Sequence, residues 1–159
     1  MRQTGDVTRQ YSQRINAPAF AIFPLLCPVR EAEWLDGWTC DLLHSVSGYA
    51  EEGCVFRTAP PGDPETVWLI TRHDPHAGVV EFARVTAGLV ATRLSVRVED
   101  LGAISNVHVA YHFTPTSEAG ARFVAERHSV EAFQRDMQWW ERSMNHYLTT
   151  GALLHREGR

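Results

Sequence analysis

The stretch Phe133-Gln-Arg-Asp-Met137-Gln-Trp-Trp140-Glu-Arg-Ser-Met144-Asn-His-Tyr147-Leu148 decides the reading of this chain. Its large side chains, Phe133, Met137, Trp140, Met144 and Tyr147, recur at steps of four, three, four and three. That spacing puts them on one face of a helix. Helical character extends back to Thr114-Pro-Thr-Ser117 and forward to Thr150, where Gly151 supplies a stop. A continuous helix of about 33 residues would measure about 50 Å, more than a domain of this size needs. A break near His128-Ser129 is therefore expected.

Upstream of the stripe the period changes from 3.6 to two. Val7 to Asn16 alternates as a first strand, with Val7, Arg9, Tyr11, Gln13 and Ile15 on one side. Asn16-Ala-Pro18 resembles a helix start continuing over Ala19 to Leu26, and a second short helix is expected over Arg30 to Leu35. Strands follow around Cys40 to Val46, Gly53 to Thr58, Glu65 to Arg72, Val79 to Thr86, Leu89 to Glu99 and Asn106 to Phe113. The cleanest alternation is Val90, Thr92, Leu94, Val96 and Val98 against Arg93, Ser95, Arg97 and Glu99. Val107, Val109, Tyr111 and Phe113 repeat it against Asn106, His108, Ala110 and His112. Such half-polar strands indicate an antiparallel sheet with one wet face.

Composition narrows the class. A chain of 159 residues, 44% hydrophobic and 21% charged, suits one globular domain spanning 1–159. The net charge of −4 comes without a basic run, so nucleic acid is not an expected partner. All basic residues are arginine, a compositional bias rather than a chemical signal. The amino terminus has no apolar signal-peptide core. The apolar run Ala17 to Val29 is broken by Pro18, Pro24 and Pro28, so membrane insertion is not expected and a cytoplasmic location is. Cys27, Cys40 and Cys54, odd in number and without a CxxC pair, suit buried thiols in a reducing compartment.

The order of elements (strand, two small helices, six strands, long helix) resembles that of the START-like, or SRPBCC, helix-grip superfamily, which includes the birch-pollen-allergen fold. Several segments are similar to a bacterial branch of polyketide cyclase/dehydrase-like proteins: Phe23-Pro-Leu-Leu-Cys-Pro-Val-Arg-Glu31, Trp34 to Trp38, Gly53-Cys-Val-Phe56, Thr66-Val-Trp68 and Asn145-His-Tyr-Leu-Thr-Thr-Gly151. The resemblance implies an α+β fold. A curved antiparallel sheet of about seven strands would carry two short helices after the first strand, with a long C-terminal helix packed across it to enclose a cavity. It leaves the reaction open, because the superfamily spans lipid carriers, cyclases and co-chaperones.

Strand parity aims His44 and Tyr111 at that cavity, as candidate acid–base or ligand-orienting groups. A core histidine and a core tyrosine bonded to neighbours are the plainer alternatives. Phe56 and Trp68 give an aromatic wall facing Phe133, Met137, Trp140 and Met144, a stripe that reads equally as core and as pocket floor. Arg30, Glu31, Trp34 and Trp38 form a cluster at the cavity mouth, or else an Arg–Glu pair with two tryptophans pinning the small helices. Arg72 and Arg84 have ambiguous facing; an inward arginine binds carboxylate bidentately, whereas surface is the usual place for one. His108 and His112, four residues apart on a strand, are separated by about 13 Å and cannot share a metal ion. No metal site or cofactor is expected, and nucleophile elbows, P-loops and dinucleotide fingerprints are absent from the sequence.

Three readings follow. The first is a binding protein for a small hydrophobic molecule that is lipid-, polyketide- or quinone-like. The second is a cyclase/dehydrase-like enzyme using His44, with Tyr111, for acid–base chemistry. The third is a co-chaperone-like interaction module using the outer sheet face. A homodimer contact through Trp139, off the main stripe, stays open.

Overall fold

The computed structural model describes residues 5–157. The amino-terminal reading and the 1–159 domain span extend onto residues 1–4 and 158–159, which lie outside the described residues. The strands are β1 (Val7–Ile15), β2 (Asp41–His44), β3 (Val55–Thr58), β4 (Thr66–Asp74), β5 (Val79–Thr86), β6 (Val90–Asp100) and β7 (Ser105–Pro115). They form one sheet in the order β1-β7-β6-β5-β4-β3-β2, with every neighbouring pair antiparallel. Consecutive strands from β2 to β7 are therefore a meander, and β1 closes its far edge.

The segment joining β1 to β2 is less helical than its sequence predicts. Helix α1 covers only Ala19–Ile22, with Pro18 at its N-cap, and 3-10 turns follow at Phe23–Leu25 and Glu31–Glu33. Asn16 does not cap α1. Its backbone N–H instead donates to Asn145 Oδ1 at 2.7 Å, while Asn145 Nδ2 donates to the Arg14 carbonyl at 3.0 Å. That amide straps the C-terminal helix to β1. Gln13, 1% exposed, adds a bond from its Nε2 to the Met137 carbonyl at 3.1 Å.

The helical region breaks where its length demanded. Helix α2 covers Glu118–Arg127 and α3 covers Val130–Thr150, each started by a serine. Ser117 Oγ accepts from Gly120 N at 3.0 Å and Ser129 Oγ from Ala132 N at 3.1 Å. Gly151 ends α3 at φ 71°, and its N–H donates to the Tyr147 carbonyl at 2.7 Å. Gly120 has a different task. A Cβ there would lie 1.7 Å from the Leu89 carbonyl oxygen, so only glycine lets α2 sit against the β5–β6 turn. Gly120→Ala ordinarily favours a helix. Here we expect thermal unfolding to show a loss of about 1–3 kcal/mol through overpacking.

Candidate functional site

Register fixes what the concave face presents. One cross-strand row reads Phe56, Trp68, Arg84, Thr92 and Phe113; the next reads Ile70, Phe82, Leu94 and Tyr111. Directly paired residues of an antiparallel sheet share a face, so each row is a line of neighbours on the concave face. Phe56 stacks on Trp68 at 5.1 Å and 18°, and Trp38 meets Trp68 edge-on at 6.1 Å.

Between this wall, the 3-10 turns and α3 lies a cavity of about 270 Å³. All five tryptophans of the chain line it: Trp34, Trp38, Trp68, Trp139 and Trp140. Leu26, Leu35, Phe56, Phe82, Leu94, Val96 and Met137 complete its apolar surface. The polar lining groups are Glu31, Tyr111, Asp136 and Arg156, of which Asp136 and Arg156 are exposed at the rim. A second chamber of about 240 Å³ shares Trp38, Trp68 and Tyr111 with the first and adds Arg84, Arg127 and His128.

Two tryptophans are both pins and walls. Trp34 Nε1 donates to the Leu25 carbonyl at 2.9 Å, and Trp38 Nε1 to the Pro28 carbonyl at 2.8 Å. Each indole is thus fixed in orientation while its ring faces the cavity. Trp140 tilts onto Trp34 at 5.9 Å, and its Nε1 has no hydrogen-bond partner. Trp139 is half-buried, with Arg142 over its ring at 5.5 Å and Arg156 at 4.6 Å.

Glu31 is the unusual titratable group. The residue is half-buried and lines the cavity, and burial pushes its carboxyl up to about 8. At neutral pH it is mostly a neutral acid, a proton donor held against an apolar wall. Tyr111 is likewise pushed up, first by burial, and Arg84 opposes that shift. Cys54 is pushed up to about 11 by burial, so it is an inert core thiol.

Several candidate residues lie elsewhere than parity suggests. His44 is exposed and does not line either chamber. A register shift between Leu42 and His44 makes it the partner of Val55 rather than of the inward, fully buried Cys54. The chain then curls away, because the Glu51 carboxylate gathers the backbone N–H groups of Val46 and Ser47 at 3.0 and 2.7 Å. Phe133 and Met144 are core residues rather than lining; Phe133 meets Tyr111 edge-on at 5.2 Å. Arg30 leaves the mouth to pair with Glu33, not Glu31, because a 3-10 turn brings residues three apart together. The cavity keeps Phe56, Trp68, Tyr111, Met137, Trp140, Glu31, Trp34 and Trp38 from the sequence candidates. On the outer face His108 and His112 contact Glu99 and Asp6 at 3.0 and 3.4 Å. Among the described residues no group of three or more His, Cys, Asp and Glu is placed to hold a metal ion.

Sequence reasoning left Arg84 with ambiguous facing and the surface as its default, offered Trp139 only as a dimer contact, and did not place Phe82 at the site. Phe82, Arg84 and Thr86 alternate with exposed Val85, a period-two signal that was available. Trp139 has no such signal, because it sits beside the stripe.

A sheet wrapped round one long helix, with a cavity between them, decides the fold. It is the helix-grip α+β fold. The chain aligns over 95% of its length with 99% of a norcoclaurine synthase from Thalictrum flavum, at a TM-score of 0.70 and 12% identity. It aligns with the Zhui aromatase/cyclase from Streptomyces sp. R1128 over 94% of this chain and 99% of that one, at 0.67 and 14%. The allergen-type protein Ara h 8.0201 matches over 91% and 99%, at 0.67 and 10%. No protein-family model and no curated protein matches the sequence. Among the described residues no helix is long and apolar enough to cross a membrane.

Proposed function

We propose that this helix-grip protein binds a small apolar or aromatic molecule, lipid-, polyketide- or quinone-like, between its sheet and α3. The observation that carries this reading is the placement of all five tryptophans on the wall of one cavity. A core needs filled volume, and large rings arranged around a void are what a flat, apolar guest requires. Norcoclaurine synthase, which shares the fold, has been seen in complex with dopamine and hydroxybenzaldehyde. The test is tryptophan fluorescence with duroquinone, a fully substituted quinone. Saturable quenching is expected for the wild type. Leu94→Trp, which fills the cavity, should weaken it by more than tenfold while thermal unfolding stays cooperative. Quenching that never saturates, or that ignores Leu94→Trp, rejects the reading.

Glu31 favours a second reading, acid–base chemistry on the bound molecule. A neutral carboxyl and the Tyr111 hydroxyl share the wall of one cavity, the pairing needed to polarise and protonate a carbonyl. Faster deuterium uptake by β-tetralone in the presence of wild type, lost in Glu31→Gln, is the expected result. Uptake at the buffer rate removes this reading and leaves binding alone.

A further inference from the structure

The second chamber carries a charge that its walls leave unbalanced. Arg84 stands on the concave face between Trp68 and Thr92. The centre of its guanidinium lies 4.9 Å from the Trp68 ring, 5.2 Å from Tyr111 and 6.0 Å from Phe113. Among the described residues, the arginines that form ion pairs are Arg30, Arg57, Arg72 and Arg127; Arg84 forms none. Of the other charged groups in the chamber, Arg127 is paired with Asp63. His128 is held neutral, mainly by burial and then by Arg84 and Arg127. Two arginines against one aspartate leave the chamber positive.

Arg84 is half-buried; taking a guanidinium from water without a counterion is unfavourable, and stacking on aromatic faces recovers only part of that cost. The polar neighbours do not complete it. Trp68 Nε1 donates to Thr58 Oγ1 at 2.9 Å, and Thr66 and Thr86 hydroxyls bond each other at 2.8 Å, so these side chains are engaged among themselves. What Arg84 lacks is a planar anion facing its fork of donors.

We propose that Arg84 anchors the carboxylate of an aromatic or apolar acid whose body lies against Trp38, Trp68 and Tyr111, the residues common to both chambers. The proposal rests on the reading that the cavity binds a small molecule, and adds that the molecule is an anion with its charged end in the second chamber. Glu31 lines only the first chamber and Arg84 only the second, so a bound acid would lie with its anion in the chamber that lacks the Glu31 carboxyl.

The experiment compares two probes of one shape by isothermal titration calorimetry at pH 7: 2-naphthoate and 2-naphthalenemethanol. The wild type is expected to bind naphthoate about tenfold or more tighter, the worth of one charge-assisted contact. Arg84→Gln should erase that preference, bringing the ratio of naphthoate to alcohol affinity from about tenfold or more to about one. Arg84→Lys, which keeps the charge without the planar fork, should retain part of it. Equal affinities in the wild type, or a preference that survives Arg84→Gln, overturn the proposal while leaving cavity binding intact. If neither probe binds the wild type, both the anion site and the binding reading fall.

Discussion

Trp34→Ala is expected to lower stability by about 3–5 kcal/mol, the range for removing a large aromatic ring from a packed interior. Trp34 is 1% exposed, packs on Trp140 and donates its indole N–H to the Leu25 carbonyl. Alanine would leave that buried carbonyl without its donor, which adds a desolvation penalty to the lost contact area. The void would also merge with the neighbouring cavity, so the walls have little to collapse onto. Trp34→Phe separates the effects. It restores most of the ring volume but not the donor, and should cost about 1–3 kcal/mol. Urea unfolding with unchanged m-values is the appropriate readout. A loss below about 1 kcal/mol for Trp34→Ala would mean that the turn carrying Trp34 is not part of the cooperative core.

Glu31→Gln is expected to stabilise the protein, and to do so only above acid pH. The native carboxyl is pushed up to about 8 from its ordinary 4.5, so the folded state holds a proton that the unfolded state releases between those values. Stability therefore falls as pH rises from about 4.5 to about 8, by at most about 1.4 kcal/mol per unit. Glutamine has no proton to lose and removes the slope. Because Glu31 is only half-buried, the full product is too large. We expect about 3 kcal/mol in favour of Glu31→Gln at pH 8 and almost none at pH 4. Equal stabilities across this range would show that the carboxyl is solvated and would remove its candidacy as a cavity acid.

The parts of the fold that were legible share a cause: each is set by a period that the sequence displays directly. The alternation Val90, Thr92, Leu94, Val96, Val98 needs only to be counted, and every one of these side chains is buried. The break at His128-Ser129 followed from length, and the stop at Gly151 from its freedom to adopt positive φ. What escaped depends on events that break a period. The bulge after Leu42 turned His44 outward, and no residue type marks a bulge in an edge strand of four residues. The 3-10 geometry around Glu31 exchanged the partner of Arg30 and left Glu31 facing the cavity. The facing of Arg84 stayed ambiguous, and the preference of arginine for the surface set its default. That is where local rules and a functional site are expected to conflict.

The ligand-binding reading depends on a guest entering between the five tryptophans. A titration of the 15N-labelled protein with 2-naphthalenemethanol, following the indole Nε1–H and backbone amide signals, tests it residue by residue. Ring-current shifts are expected to concentrate on the indoles of Trp34, Trp38, Trp68, Trp139 and Trp140 and on the amides of Leu94 and Tyr111. The outer-face amides of Arg93, Arg97, His108 and His112 should stay in place. Shifts confined to that outer face, or five indole signals unmoved at saturating probe, would contradict it.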